Sequence, residues 1–176
     1  MVSCQFSIHY FFKDQETLEG FIQNVDDNVK VGGHFVGYPL ILLAKNRAGY
    51  RNLCKISSIG YLEGFYYTPR VDKEVLETYS EGLICLSGPI HSQISQSIIQ
   101  GQGERFEEEV AWSQRVFGED FYFELQRHHM SEEHIHIEGI DKESWLYQTY
   151  LDRVKNQEQV TSQLISVSKE RGIPVV

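Results

Sequence analysis

Leu62-Glu63-Gly64-Phe65-Tyr66-Tyr67-Thr68-Pro69-Arg70-Val71-Asp72 joins a helix end, an aromatic triplet and a proline-fixed turn in one stretch. Gly64 has free access to positive φ and is expected to cap the helix before it. Pro69 fixes an extended turn and disfavours helix at Thr68. Phe65, Tyr66 and Tyr67 have neither a helical nor a strand period that would bury all three rings. At least one ring is therefore expected to cover a neighbouring loop, the ordinary role for such rings, with a catalytic tyrosine as the alternative.

Outward from this stretch, apolar alternation and short buried runs predict strands near Val2 to Ile8, Pro39 to Ala44, Leu83 to Leu86, Phe121 to Leu125 and Ile173 to Val176. Asn46 is placed to cap a helix whose Tyr50, Leu53, Cys54, Ile56, Ile59 and Leu62 fall largely on one broad face. Further helices are predicted near Asp72 to Tyr79, near Ile90 to Ile99, and from Glu104 to Phe117, the last with Phe106, Val110 and Phe117 towards the core and Gly118 at its end. Gly101-Gln102-Gly103 reads as a turn. A helical pattern runs from Lys142 to Glu170, and its length predicts a break near Lys155 to Gln159. Strands alternating with helices define an α/β fold with parallel sheet, and periodicity leaves a barrel and an open sheet both open.

With 176 residues, 41% of them hydrophobic and 12% aromatic, the chain is long enough for one domain with its own core. No apolar run approaches the roughly 20 residues that span a bilayer, and Met1 to Tyr10 has no signal-peptide pattern, so a cytoplasmic location and no membrane partner are expected. Cys4, Cys54 and Cys85 are odd in number and without a CxxC pair; they read as buried thiols in a reducing compartment. The net charge of −9, with acid gathered at Glu104 and Glu107-Glu108-Glu109, should repel a phosphate backbone, so no direct DNA binding by this chain is expected. Nothing matches a Walker loop, a Gly-x-Ser-x-Gly elbow, a zinc-protease helix or a helix–turn–helix.

Taken with Leu40-Ile41-Leu42-Leu43-Ala44-Lys45-Asn46, Gly49-Tyr50-Arg51-Asn52-Leu53, Glu81-Gly82-Leu83-Ile84-Cys85-Leu86-Ser87-Gly88 and Phe121-Tyr122-Phe123-Glu124-Leu125-Gln126-Arg127-His128, the opening stretch resembles the PHP (polymerase and histidinol phosphatase) domain of bacterial replicative DNA polymerase III alpha subunits. The spacing between blocks fits as well. The likeness runs from Ser3 to Val176 with a poorly matching inserted region at about 129–152, and Asp152-Arg153-Val154-Lys155-Asn156 and Arg171-Gly172-Ile173-Pro174-Val175-Val176 return to the pattern.

This resemblance implies a distorted (β/α)7 barrel with mainly parallel strands. Residues 1–176 are expected to form one partial PHP domain, an incomplete barrel. Only about five candidate strands are present, the family's N-terminal part with its His-x-His strand and two further strands and helices is expected to be absent before Met1, and Ile173 to Val176 stops where the family continues into an Asp- and His-bearing motif. The parent protein would be a DNA-directed DNA polymerase using Mg, whose paired carboxylates belong to a later domain. This segment alone is expected to be inactive, to bind no cofactor and to act as a scaffold. The implied partners are the remainder of the alpha subunit and a proofreading exonuclease subunit.

The resemblance also marks positions where this chain departs from the family. PHP domains that hydrolyse hold metal ions through His, Asp, Glu and Cys, which convert a bound water into a nucleophile. The family's Gly-Cys-Glu-aromatic segment aligns with Ser3-Cys4-Gln5-Phe6, so the neutral amide of Gln5 stands where a carboxylate would bind. A histidine position aligns with Pro39 and a position often held by cysteine aligns with Pro89, and proline has no side-chain ligand atom. A degenerate metal site is implied.

Two further readings stay open. His134-Ile135-His136 would place two imidazoles on one face of a strand, and with His128 and nearby carboxylates they would make a Zn or Mn site in a stand-alone phosphoesterase or nuclease. The plainer reading is a solvated edge with exposed histidines, and for His128-His129 a hydrogen-bonded structural role. The third reading is a non-enzymatic interaction module.

Overall fold

The computed structural model describes residues 37–66, 68–127 and 145–176. Of these, residue 37 and those of Leu43–Leu83 form one compact unit, and those of Tyr38–Leu42 and Ile84–Val176 form a second. The elements in chain order are β1 (Ile41–Ala44), α1 (Arg47–Leu62), β2 (Phe65–Tyr66), β3 (Thr68–Pro69), α2 (Lys73–Thr78), β4 (Leu83–Leu86), α3 (Gln93–Ile99), α4 (Gly103–Phe117), a 3-10 turn, β5 (Phe121–Tyr122) and α5 (Trp145–Arg171). Helices alternating with short strands make this an α/β fold.

In the first unit, α1 begins where its sequence says it should. Asn46 is extended, and its side-chain oxygen accepts from the Gly49 N–H at 2.9 Å, satisfying one of the orphan donors of the first turn. The face is narrower than its apolar pattern suggested. Gly49, Ile56 and Gly60 are the buried residues, whereas Tyr50 and Leu62 are 62% and 60% exposed. Small residues are buried here because backbone packs on them: a Cβ at Gly49 would lie 1.8 Å from the Gly82 carbonyl oxygen.

The opening stretch folds as a helix end followed by a tight antiparallel hairpin, with Phe65 opposite Pro69 and Tyr66 opposite Thr68. The expected left-handed glycine cap does not occur. Glu63, in the right-handed region, caps α1, and Gly64 is absent from the glycines of positive φ. What Gly64 supplies is space, because a Cβ there would stand 2.0 Å from the Arg70 carbonyl oxygen. Arg70 N–H donates to the Gly64 carbonyl at 3.0 Å, closing the hairpin onto the helix end. Of the aromatic triplet, Phe65 stacks on Tyr61 of α1, with ring centroids 5.9 Å apart. Asp72 caps α2 by accepting from the Val75 N–H at 2.8 Å.

Among the described residues the second unit holds the larger core. Its sheet has the order β1–β4–β5, and β4 and β5 run parallel with Cys85 opposite Phe121 and Leu86 opposite Tyr122. Beyond β5, Phe123 bridges Val175 in parallel, and Leu125 N–H donates to the Val176 carbonyl at 2.9 Å. The predicted strand at 173–176 is thus one bridge and its flanking bonds. Strand alternation sends Phe121 and Phe123 to the same side, edge to face with centroids 5.5 Å apart and both buried. Phe106, Val110 and Phe117 of α4 are buried as their spacing predicted, and Gly118 follows the helix with φ of 56°.

Helix α5 is continuous over 27 residues, about 40 Å, and has no break at Lys155 to Gln159. Lys155-Asn156-Gln157-Glu158-Gln159 contains neither Gly nor Pro, so nothing in the chain interrupts the hydrogen-bond ladder there. Its buried residues are Val160, Leu164 and Val167, all in the C-terminal half. Gln159 Nε2 donates to the Ile98 carbonyl at 3.0 Å, tying α5 to the end of α3.

Two of the three cysteines fall among the described residues. Cys85 is buried as expected; Cys54 is exposed, because it lies on the outer side of α1.

Candidate functional site

The loop after β4 collects the positions the sequence marked. Ser87, 1% exposed, ties it to β5: its N–H donates to the Tyr122 carbonyl, and its Oγ accepts from the Glu124 N–H, both at 2.9 Å. Gly88 follows with φ of 81°, a conformation that disfavours any side chain. A Cβ there would stand 3.0 Å from Ser92 Cβ and 3.2 Å from the Pro39 carbonyl oxygen. The backbone before Pro89 therefore lies against Pro39, and two of the three marked positions come together.

They come together without metal-binding side chains. Pro39 is exposed, and Pro89, half-buried, accepts the Ser92 N–H on its carbonyl at 2.7 Å. Ser92 in turn caps α3, accepting from the Ser95 N–H at 3.3 Å and donating to Ser95 Oγ at 3.2 Å. Gln96 Nε2 donates to the Ile90 carbonyl at 2.8 Å, which fixes the turn between Pro89 and α3. The hydroxyls of Ser87, Ser92 and Ser95 are engaged with backbone or with each other, and among the described residues no imidazole is bonded to them. Their arrangement holds a loop; it does not activate a nucleophile, which needs an adjacent base.

A small cleft beside this loop is lined by Gly88, Ile90, Ser95, Glu124, Gln126 and residues of α5. Glu124 Oε1 accepts from Gln126 Nε2 at 2.5 Å, and its buried Oε2 has no hydrogen-bond partner. One carboxylate is too few for a hydrolytic metal centre of the kind the resemblance implies. Among the described residues no group of three or more His, Cys, Asp or Glu is placed to hold a metal ion. The described residues of this loop and cleft therefore do not fit such a centre. Gln5, His128, His134 and His136 lie outside the described residues.

Cys85 is the nearest thiol in sequence to this loop, and it is fully buried on β4. Burial pushes its pKa up to about 12, so it stays protonated at neutral pH and is neither a thiolate nucleophile nor a ready metal ligand. Sequence reading passed over Glu124 and the serine network. Ser87 and Glu124 are 37 positions apart, and only the β4–β5 pairing makes them neighbours.

Helices alternating with short strands, with β4 and β5 paired in parallel, place the described residues in the α/β class. The PHP domain family model matches residues 3–128, and the chain belongs to this family. It is 47% identical over 137 residues to the DNA polymerase III subunit alpha of Chlamydia pneumoniae, covering 78% of this chain and 11% of that protein. The Borreliella burgdorferi subunit alpha is 42% identical over 155 residues, 88% of this chain and 11% of the relative. The Thermus aquaticus subunit is 41% identical over 102 residues, 58% of this chain and 8% of the relative. The chain thus spans about a tenth of the length of these relatives. No helix among the described residues is long and apolar enough to cross a membrane.

Proposed function

We propose that this chain is a segment of a replicative DNA polymerase III alpha subunit, where it serves as a structural PHP scaffold with a degenerate metal site. The observation that carries this reading is the match to alpha subunits over 78–88% of the chain in the two most extensive alignments quoted above. Pro39 and Pro89 add to it: at two positions where the resemblance implies ligand side chains, this chain puts residues that have none.

On this reading residues 1–176 are one partial PHP domain, an incomplete (β/α)7 barrel with an insertion at about 129–152. The segment contributes to DNA replication only within the whole polymerase, in the cytoplasm. The parent enzyme is a DNA-directed DNA polymerase that uses Mg, and the segment itself holds no cofactor. Its partners are the remainder of the alpha subunit and a proofreading exonuclease subunit.

The test has two parts. The purified chain is dialysed and its bound metal measured by mass spectrometry beside a His134→Ala/His136→Ala control, and both proteins are assayed for primer extension and DNA degradation. No stoichiometric metal and neither activity is the expected result. Histidine-dependent binding of Zn or Mn with metal-stimulated hydrolysis would replace the scaffold by a stand-alone phosphoesterase or nuclease.

A further inference from the structure

Every charge within helix α1 has the same sign. Its sequence RAGYRNLCKISSIGYL holds Arg47, Arg51 and Lys55 and no Asp or Glu, and all three cations are exposed. They stand at i, i+4 and i+8, which at about 1.5 Å and 100° per residue makes a row ~12 Å long within an arc of roughly 80°. That arc faces away from the buried Gly49, Ile56 and Gly60. The row starts at the positive end of the helix dipole. Among the described residues Arg47 and Arg51 have no side-chain partner, and Lys55 stands 5.0 Å over the Tyr79 ring. Tyr50, 62% exposed, borders the row next to Arg51.

The chain's net charge of −9 is not reproduced within residues 43–83. Residues 43–83 carry six basic side chains, Lys45, Arg47, Arg51, Lys55, Arg70 and Lys73, against the five acids Glu63, Asp72, Glu74, Glu77 and Glu81. With a screening length of about 8 Å at physiological salt, a ligand on α1 responds chiefly to the charges near it.

We propose that this face of α1 tracks a single strand of nucleic acid, with Arg47, Arg51 and Lys55 meeting successive phosphates and Tyr50 stacking on a base. Cations repeated about every 6 Å along one line suit a regularly spaced polyanion. A row of cations beside an exposed ring is the combination that sequence-tolerant strand binders use. An acidic polypeptide would also answer the cations, but every nucleotide brings a base that can stack on Tyr50 whereas acidic side chains bring none, so the ring favours nucleic acid. The inference adds a contact to the scaffold role and does not depend on it. It is a local exception to the repulsion expected from the whole-chain charge.

The test is fluorescence anisotropy of the whole chain with a labelled oligothymidylate of about 12 nucleotides at low salt, with polyglutamate as a second probe. Binding is expected. Arg47→Gln/Arg51→Gln/Lys55→Gln should weaken it at least roughly tenfold and lower the slope of log K against log salt by about 2. Tyr50→Ala should weaken it roughly fivefold or more with the slope unchanged. Bound oligonucleotide should also slow alkylation of Cys54, one turn from Tyr50 and exposed. Circular dichroism checks that the variants fold, and the single Arg51→Gln, with an expected slope change of about 0.7, stands in if the triple variant does not. No binding, variants that bind like the parent, or polyglutamate binding as tightly with Tyr50→Ala silent would each overturn the proposal, the last in favour of an acidic protein segment.

Discussion

A Cβ on Gly64 would stand 2.0 Å from the Arg70 carbonyl oxygen, inside any real contact, so Gly64→Ala must push the end of α1 away from the β2–β3 hairpin. The expected loss is about 1–3 kcal/mol or more, read from urea unfolding. Gly103→Ala is the control, since nothing lies within 4 Å of its added Cβ and it opens a helix; it should be neutral or slightly stabilising. Equal effects at the two sites would mean that close approach is not what Gly64 provides. The cysteines divide in the same residue-by-residue way. Cys54 is exposed, whereas Cys85 is fully buried with its pKa pushed up to about 12. A raised thiol pKa favours the neutral form below that value, so raising the pH from 7 to 9 should leave Cys85 unreactive. Alkylation followed by peptide mass spectrometry should therefore modify Cys54 in the folded protein and Cys85 only as denaturant unfolds it.

At the scale of elements, α5 is two different surfaces on one uninterrupted helix. Leu164 is fully buried, whereas Leu151 is 41% exposed and Trp145 78%. Leu164→Ala should cost about 2–5 kcal/mol and Leu151→Ala less than about 1, measured by chemical denaturation. Comparable losses would show that the N-terminal half is packed as well as the C-terminal half. The sequence made α5 legible as helix but not as continuous, because its length alone argues for a break while 145–171 offers no Gly or Pro at which to make one. The Asn46 cap, the helix near Asp72 to Tyr79, β4 and the core face of α4 were readable because each depends on neighbours a few positions away. The face of α1 was misread since Gly49 and Gly60 are buried by backbone approaching from outside the helix, which leaves no mark in its hydrophobic pattern. The loop after β4 was marked by the resemblance through Pro39 and Pro89, but the bonds that hold it, Ser87 to Tyr122 and Glu124, need the pairing of β4 with β5.

At the scale of the molecule, a scaffold and a catalytic domain respond differently to the same injury. Phe123 is fully buried and set edge to face against Phe121, so Phe123→Ala should cost about 3–5 kcal/mol, a large share of what holds a domain of this size together. If the segment supports a polymerase without taking part in chemistry, the loss travels through folding alone. In the whole polymerase carrying Phe123→Ala, the melting temperature should fall, and primer extension should fail at lower temperature than in the parent. Where circular dichroism and protease resistance show the variant still folded, extension per folded molecule should match the parent. Reduced turnover there, with primer binding unchanged, would mean that the core of this segment positions groups of the polymerase site, which is more than a scaffold does.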